Sequence, residues 1–87
     1  MNPLPKILIA DDEPGFLAMY QKFVEKAGFD VLLAHDGEEA LKLAFDERPA
    51  VVVLDVDMAK KDGLEVMKEF VKTNWAKNLP IIILTGK

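Results

Sequence analysis

Five residues of this 87-residue chain have the types and spacing to do chemistry: Asp11, Asp12, Asp55, Asp57 and Thr85. Asp11 and Asp12 follow the apolar run Lys6-Ile7-Leu8-Ile9-Ala10, and Asp55 and Asp57 follow Ala50-Val51-Val52-Val53-Leu54. Thr85 closes the run Pro80-Ile81-Ile82-Ile83-Leu84. An Asp just past a strand ordinarily serves as a turn former or helix cap, and a Thr at a strand end is ordinarily a strand residue. Their convergence on one sheet edge changes that assessment. Four carboxylates in one crevice would repel one another, and a hard divalent cation with oxygen ligands resolves the conflict; magnesium is typical where a phosphate completes the shell.

Those residues must be positioned by the elements around them. The segment 6–10 is a short apolar run rich in β-branched residues, as suits a strand buried on both faces. Pro14 fits a first helical turn, with Asp12 as its cap, and Phe16, Tyr20, Phe23, Val24 and Ala27 recur at helical spacing until Gly28 stops the helix. Residues 29–34 predict a second strand. Asp36 with Glu39 predicts a capping box, Ala40, Leu41, Ala44 and Phe45 a buried stripe, and Pro49 the end of a second helix. After the strand 50–54, Asp62-Gly63 signals a turn, and a third helix carries Leu64, Met67, Phe70 and Val71 on one face. The run 80–85 is a fourth buried strand. Strands alternating with helices in this way indicate an α/β fold with a parallel sheet and right-handed crossovers; if it is a doubly wound sheet of the flavodoxin-like order 2-1-3-4, strands one and three are neighbours, and ligands bind beyond the carboxyl ends of the strands.

Composition narrows the function. One domain spanning 1–87 is expected, with 51% hydrophobic and 30% charged residues, an ordinary globular balance. The net charge of −4 disfavours nucleic acid or an anionic membrane as a direct partner, since both require a basic face. The absence of Cys removes disulfides and thiolate metal sites, and no apolar run approaches the roughly 20 residues that span a bilayer. A cytoplasmic protein is the expectation. His35 is the lone histidine and is expected to be a surface or cap residue, Trp75 a packing residue, and Lys60-Lys61 a solvated loop.

The runs Ile7-Leu-Ile-Ala-Asp11-Asp12-Glu-Pro14, Val51-Val-Val-Leu-Asp55-Val-Asp-Met58-Ala-Lys-Lys-Asp62-Gly63 and Pro80-Ile-Ile-Ile-Leu-Thr85-Gly86 together resemble the receiver domain of two-component response regulators, in register over the whole chain. The resemblance implies that Asp55 is the phosphoacceptor, taking a phosphoryl group from the phosphohistidine of a sensor histidine kinase or phosphotransfer protein. It implies Mg2+ bound directly by Asp12, through water by Asp11, and by Asp55 and the backbone carbonyl of Asp57. Thr85 would hydrogen-bond the phosphoryl oxygen. Ala59 stands where the family usually has proline, which should loosen the loop after Asp55. The family also continues into a fifth strand bearing a lysine that pairs with the phosphate, and into further helices; the expectation here is a receiver lacking these, and Lys87 is not their equivalent.

Two other functions remain open. Asp55-Val56-Asp57 also resembles the nucleophile motif of haloacid-dehalogenase-like phosphatases, although that family places its paired aspartates on the first strand. Alternatively, the chain is a receiver-like interaction or dimerisation module without phosphotransfer. A fourth strand of Ile81-Ile82-Ile83-Leu84 with no inward charge or bulge is a template for pairing, so a homodimer through strand 4 or through exchanged elements is expected.

Overall fold

In the computed structural model, which describes residues 4–58 and 60–84, strands and helices alternate along the chain. They run β1 (Lys6–Ala10), α1 (Pro14–Lys26), β2 (Asp30–Ala34), α2 (Gly37–Glu47), β3 (Val51–Asp55), α3 (Gly63–Val71) and β4 (Ile81–Leu84). All strand pairs are parallel, as the alternation predicts, and the sheet order is β2-β1-β3-β4, the flavodoxin-like order expected. Asp55 is the last residue of β3, one residue later than the sequence pattern places the strand end.

Right-handed crossovers require α1 to lie on one face of the sheet and α2 and α3 on the other, because the chain moves outward from β1 to β2 and then back across to β3 and β4. The packing follows that rule. Leu8, Ala10, Ala34, Val52 and Leu54 form one buried cluster with Ala40, Ala44, Val66 and Phe70 from α2 and α3. The alternate strand residue Ile9 and Leu17 of α1 are equally buried but lie outside that cluster. Phe45 bridges α2 to α3 edge-on, against Phe70 at 6.1 Å and Trp75 at 5.8 Å, and Arg48 covers the Trp75 ring at 4.8 Å. Trp75 is thus a packing residue.

Several expectations about the helices need correction. Leu17, not Phe16 or Phe23, is the buried residue of α1; Phe23 is 65% exposed, and Phe16 stacks on Tyr20 at 6.2 Å along an open flank. Among the described residues α1 is the only helix on its face. On α3 the buried residues are Gly63, Val66 and Phe70, leaving Leu64 and Val71 exposed, because the helix is rotated toward the 63/66/70 stripe. Glu13 caps α1 in place of Asp12, its side chain accepting from the Gly15 N–H. Asp36 caps α2 through the Glu39 N–H at 2.8 Å, but Glu39 returns its own carboxylate to the His35 N–H and ring, not to the cap. The reciprocal box is at α3, between Asp62 and Glu65.

The Glu39 N–H, opposed by burial and assisted by Lys60, holds the Asp36 carboxyl below its ordinary value. A depressed folded-state pKa contributes stability above the unfolded pKa, and that contribution is lost as pH falls through the folded value. Asp36→Ala is therefore expected to cost about 1 kcal/mol at pH 7, the usual worth of an N-cap. Urea titrations of parent and variant should converge as pH drops below the ordinary aspartate range.

Candidate functional site

The site is assembled by two strands that are adjacent in space but separated in sequence by a whole helix–strand–helix segment. Ala10 of β1 stands opposite Leu54 of β3, so the next residues, Asp11 and Asp55, emerge side by side at the carboxyl edge. Each is fixed by backbone bonds. The Asp11 N–H donates to the Ala34 carbonyl at 3.1 Å, and the Asp11 carboxylate accepts the Glu13 N–H at 2.9 Å, turning the chain into α1. Beyond Asp55, the Val56 N–H donates to the Leu84 carbonyl at 3.1 Å, and the Asp57 N–H reaches the Asp55 carboxylate at 3.3 Å.

Oxygens of Asp11, Asp12 and Asp55 lie within 4.8 Å of one another. Asp11 is fully buried, Asp55 is 3% exposed and Asp12 faces solvent. Ionised carboxylates at that spacing repel by a few kcal/mol in a medium of effective dielectric about 20, and burial raises the cost of each charge. The donor set is all oxygen, with two rigid buried carboxylates and one open to water. That is the chemistry of a hard divalent cation which keeps part of its hydration and can exchange a water for a phosphate oxygen. The residues present fit magnesium.

Of the residues singled out in the sequence, Asp11, Asp12 and Asp55 are brought together. Asp57 is exposed on the following loop, and Thr85 lies outside the described residues, as does Ala59. Gly63 is a site residue that the sequence presents only as a turn signal. A Cβ there would meet the Asp55 carbonyl oxygen at 2.5 Å, and the Gly63 N–H donates to the Val56 carbonyl at 3.1 Å, so α3 starts directly against the backbone of Asp55. Lys60 is likewise not simply a solvated loop residue: its ammonium lies 3.6 Å from Asp36.

The family described as "Response regulator receiver domain" matches residues 7–87. The alkaline phosphatase synthesis transcriptional regulatory protein PhoP of Bacillus subtilis is 45% identical over 82 residues, covering 94% of this chain and 33% of the relative. The transcriptional regulatory protein CpxR of Klebsiella pneumoniae is 39% identical over 82 residues, covering 94% of this chain and 34% of the relative. The chain thus spans about a third of the length of these curated relatives. Among solved structures, the chemotaxis response regulator CheY4 of Vibrio cholerae superposes with a TM-score of 0.92 at 33% identity, over 97% of this chain and 70% of that one. The receiver domain of the Francisella response regulator 1452 superposes at 0.84 with 37% identity, over 91% and 64%.

The close approach at Gly63 is directly testable. Gly63→Ala should destabilise the fold by roughly 1–3 kcal/mol, the usual cost of forcing a methyl into packed surroundings. Gly15→Ala, where an added Cβ meets nothing nearer than 3.4 Å within the first turn of α1, should be neutral or stabilising by up to about 1 kcal/mol. Paired denaturant titrations give both values.

Proposed function

The chain belongs to the response regulator receiver family, and from that premise we propose that Asp55 accepts a phosphoryl group from the phosphohistidine of a sensor histidine kinase or phosphotransfer protein. Receiver domains of two-component systems are signalling modules and not enzymes that turn over a separate substrate; catalysis would be limited to the domain's own phosphorylation and dephosphorylation. The observation that carries the proposal is the gathering of the Asp11, Asp12 and Asp55 carboxylates within 4.8 Å at the end of the two central strands. A haloacid-dehalogenase-like phosphatase leaves unexplained why two of these carboxylates come from β1 while the acceptor motif sits on β3.

In the proposed reaction, an Asp55 carboxylate oxygen bonds to phosphorus as the phosphorus–nitrogen bond of the phosphohistidine breaks, leaving the electron pair on the imidazole and an acyl phosphate on Asp55. Asp11 and Asp12, with Asp55 and the Asp57 backbone carbonyl, would hold Mg2+, which neutralises phosphoryl charge where transfer depends on positioning and electrostatics. Burial of Asp55 at the end of a rigid strand orients the attacking oxygen and limits competing water. Thr85 is assigned a hydrogen bond to a phosphoryl oxygen. A cytoplasmic location accords with this chemistry, and among the described residues no helix is long and apolar enough to cross a membrane.

A small phosphodonor with Mg2+, followed by intact mass, tests the assignment. One phosphoryl adduct is expected in the parent protein and none in Asp55→Asn. Saturating Mg2+ at 100 times its dissociation constant should add about 2.7 kcal/mol to stability, an increment that Asp12→Ala removes. Steady phosphate release without an adduct, or an adduct on Asp57, overturns the proposal.

A receiver-like interaction module is the second function, favoured by one observation: among the described residues β4 pairs with β3 alone, and its Ile82 is 52% exposed. Ile81–Leu84 carries neither charge nor proline, so its outer edge can accept a second copy in a two-fold dimer. Sedimentation across a concentration series should show dimer for the 87-residue chain, and a monomer at high concentration rules this pairing out.

A further inference from the structure

The loop from Asp55 to Gly63 is anchored at both ends and at its middle. At its ends, the Val56 carbonyl accepts the Gly63 N–H, and Gly63 abuts the Asp55 carbonyl. Met58 is tucked into the core at 9% exposure. The middle is held from outside, by the first turn of α2. Lys60 adopts φ +68°, a left-handed conformation that a side chain accepts at a steric cost glycine would not incur. The next residue, Lys61, lays its backbone carbonyl against Gly37 so closely that a Cβ on Gly37 would clash with that oxygen. Lys60 also directs its ammonium to Oδ2 of Asp36, while Oδ1 of Asp36 caps α2. The turn of α2 that is itself ordered by Asp36 therefore meets the loop twice, by shape at Gly37 and by charge at Asp36.

We propose that Lys60 and Gly37 are positioning residues for the phosphoacceptor site: the N-terminus of α2 clamps the loop so that the Asp57 N–H stays against the Asp55 carboxylate and the Asp57 backbone stays beside the acidic cluster. The functional consequence rests on the role proposed for Asp55; the clamp itself does not. The ion pair is partly exposed, with side-chain exposures of 60% for Lys60 and 20% for Asp36, and such pairs contribute little to global stability. Its effect is local, on a loop that is also held by the Asp57 N–H on the Asp55 carboxylate, by buried Met58 and by the Gly63 N–H on Val56.

Amide hydrogen exchange in the metal-free protein reads the clamp directly. Lys60→Ala keeps a side chain in the left-handed position but removes the ammonium, and should speed exchange at Asp57 and Gly63 by about two- to fivefold, the range a partly exposed ion pair can supply. Amides of β1 and β3 should not change, and Lys60→Arg should restore the parent rates. Gly37→Ala should give a larger local effect; if that variant does not fold, the Lys60 series still decides. Unchanged exchange at Asp57 and Gly63, or equal acceleration of every amide, overturns the clamp. A second arm measures Mg2+ affinity and the rate of adduct formation with a small phosphodonor. Lys60→Ala should lower both by about the same factor, with recovery in Lys60→Arg. A parent protein that binds no Mg2+ and forms no adduct overturns the phosphoacceptor role of Asp55, while an active parent matched by Lys60→Ala overturns the positioning role.

Discussion

The parallel pairing of β1 with β3, Ala10 opposite Leu54, is the constraint on which the rest of the molecule depends. A one-residue slip in that register would turn Asp55 to the opposite face of the sheet and leave Asp11 without its neighbour. The register is enforced from both sides of the sheet. Leu8, Val52 and Leu54 must join the buried cluster that holds Val66 and Phe70, and Ile9, on the alternate face of its strand, must be buried as well. Burial of these β-branched and aliphatic side chains supplies the free energy that holds two carboxylates in a dry environment they would otherwise leave. Burial and charge are opposed at this one edge, where Asp11 and Asp55 are both buried carboxylates.

Glycine is used where helices must approach the site without a side chain between. Gly63 lets α3 begin on the Asp55 carbonyl, and Gly37 lets α2 begin on the Lys61 carbonyl. Both follow an Asp that caps the same helix, Asp62 and Asp36. The Asp-Gly pair therefore does two things at once: the carboxylate satisfies an orphan N–H of the first turn, and the glycine permits contact with backbone. Two helices on the same face are thereby fixed against the segment that follows β3. Among the described residues α1 is the one helix on the opposite face, with Phe16 stacked on Tyr20 along it.

The element order, the parallel sheet and the position of Asp55 at the end of the third strand could be read from residue patterns, because strand runs, caps and crossover handedness are properties of short segments and of simple chain geometry; the sheet order came only with the flavodoxin-like fold. The acidic candidates Asp11, Asp12 and Asp55 followed from the rule that ligands gather beyond strand ends, their crowding pointed to a hard divalent cation, and the resemblance to receivers added the ligand roles and phosphotransfer. Burial within the helices was less legible. Phe16, Phe23, Leu64 and Val71 fit a helical period as well as the buried residues do, and only the placement of a neighbouring helix decides which of the candidate stripes is covered.

What the sequence determines by itself is thus the set of elements and the strand ends where chemistry can occur, since both depend on contacts only a few residues apart. The tertiary structure decides how closely Asp11, Asp12 and Asp55 converge, that Glu13 and not Asp12 caps α1, and that Lys60 and Lys61 are docked on the start of α2. Each of these is a contact or a competition for one N–H whose outcome depends on the exact rotation of a helix against the sheet. That rotation is set by side chains packed from several distant segments at once, and no local pattern encodes it.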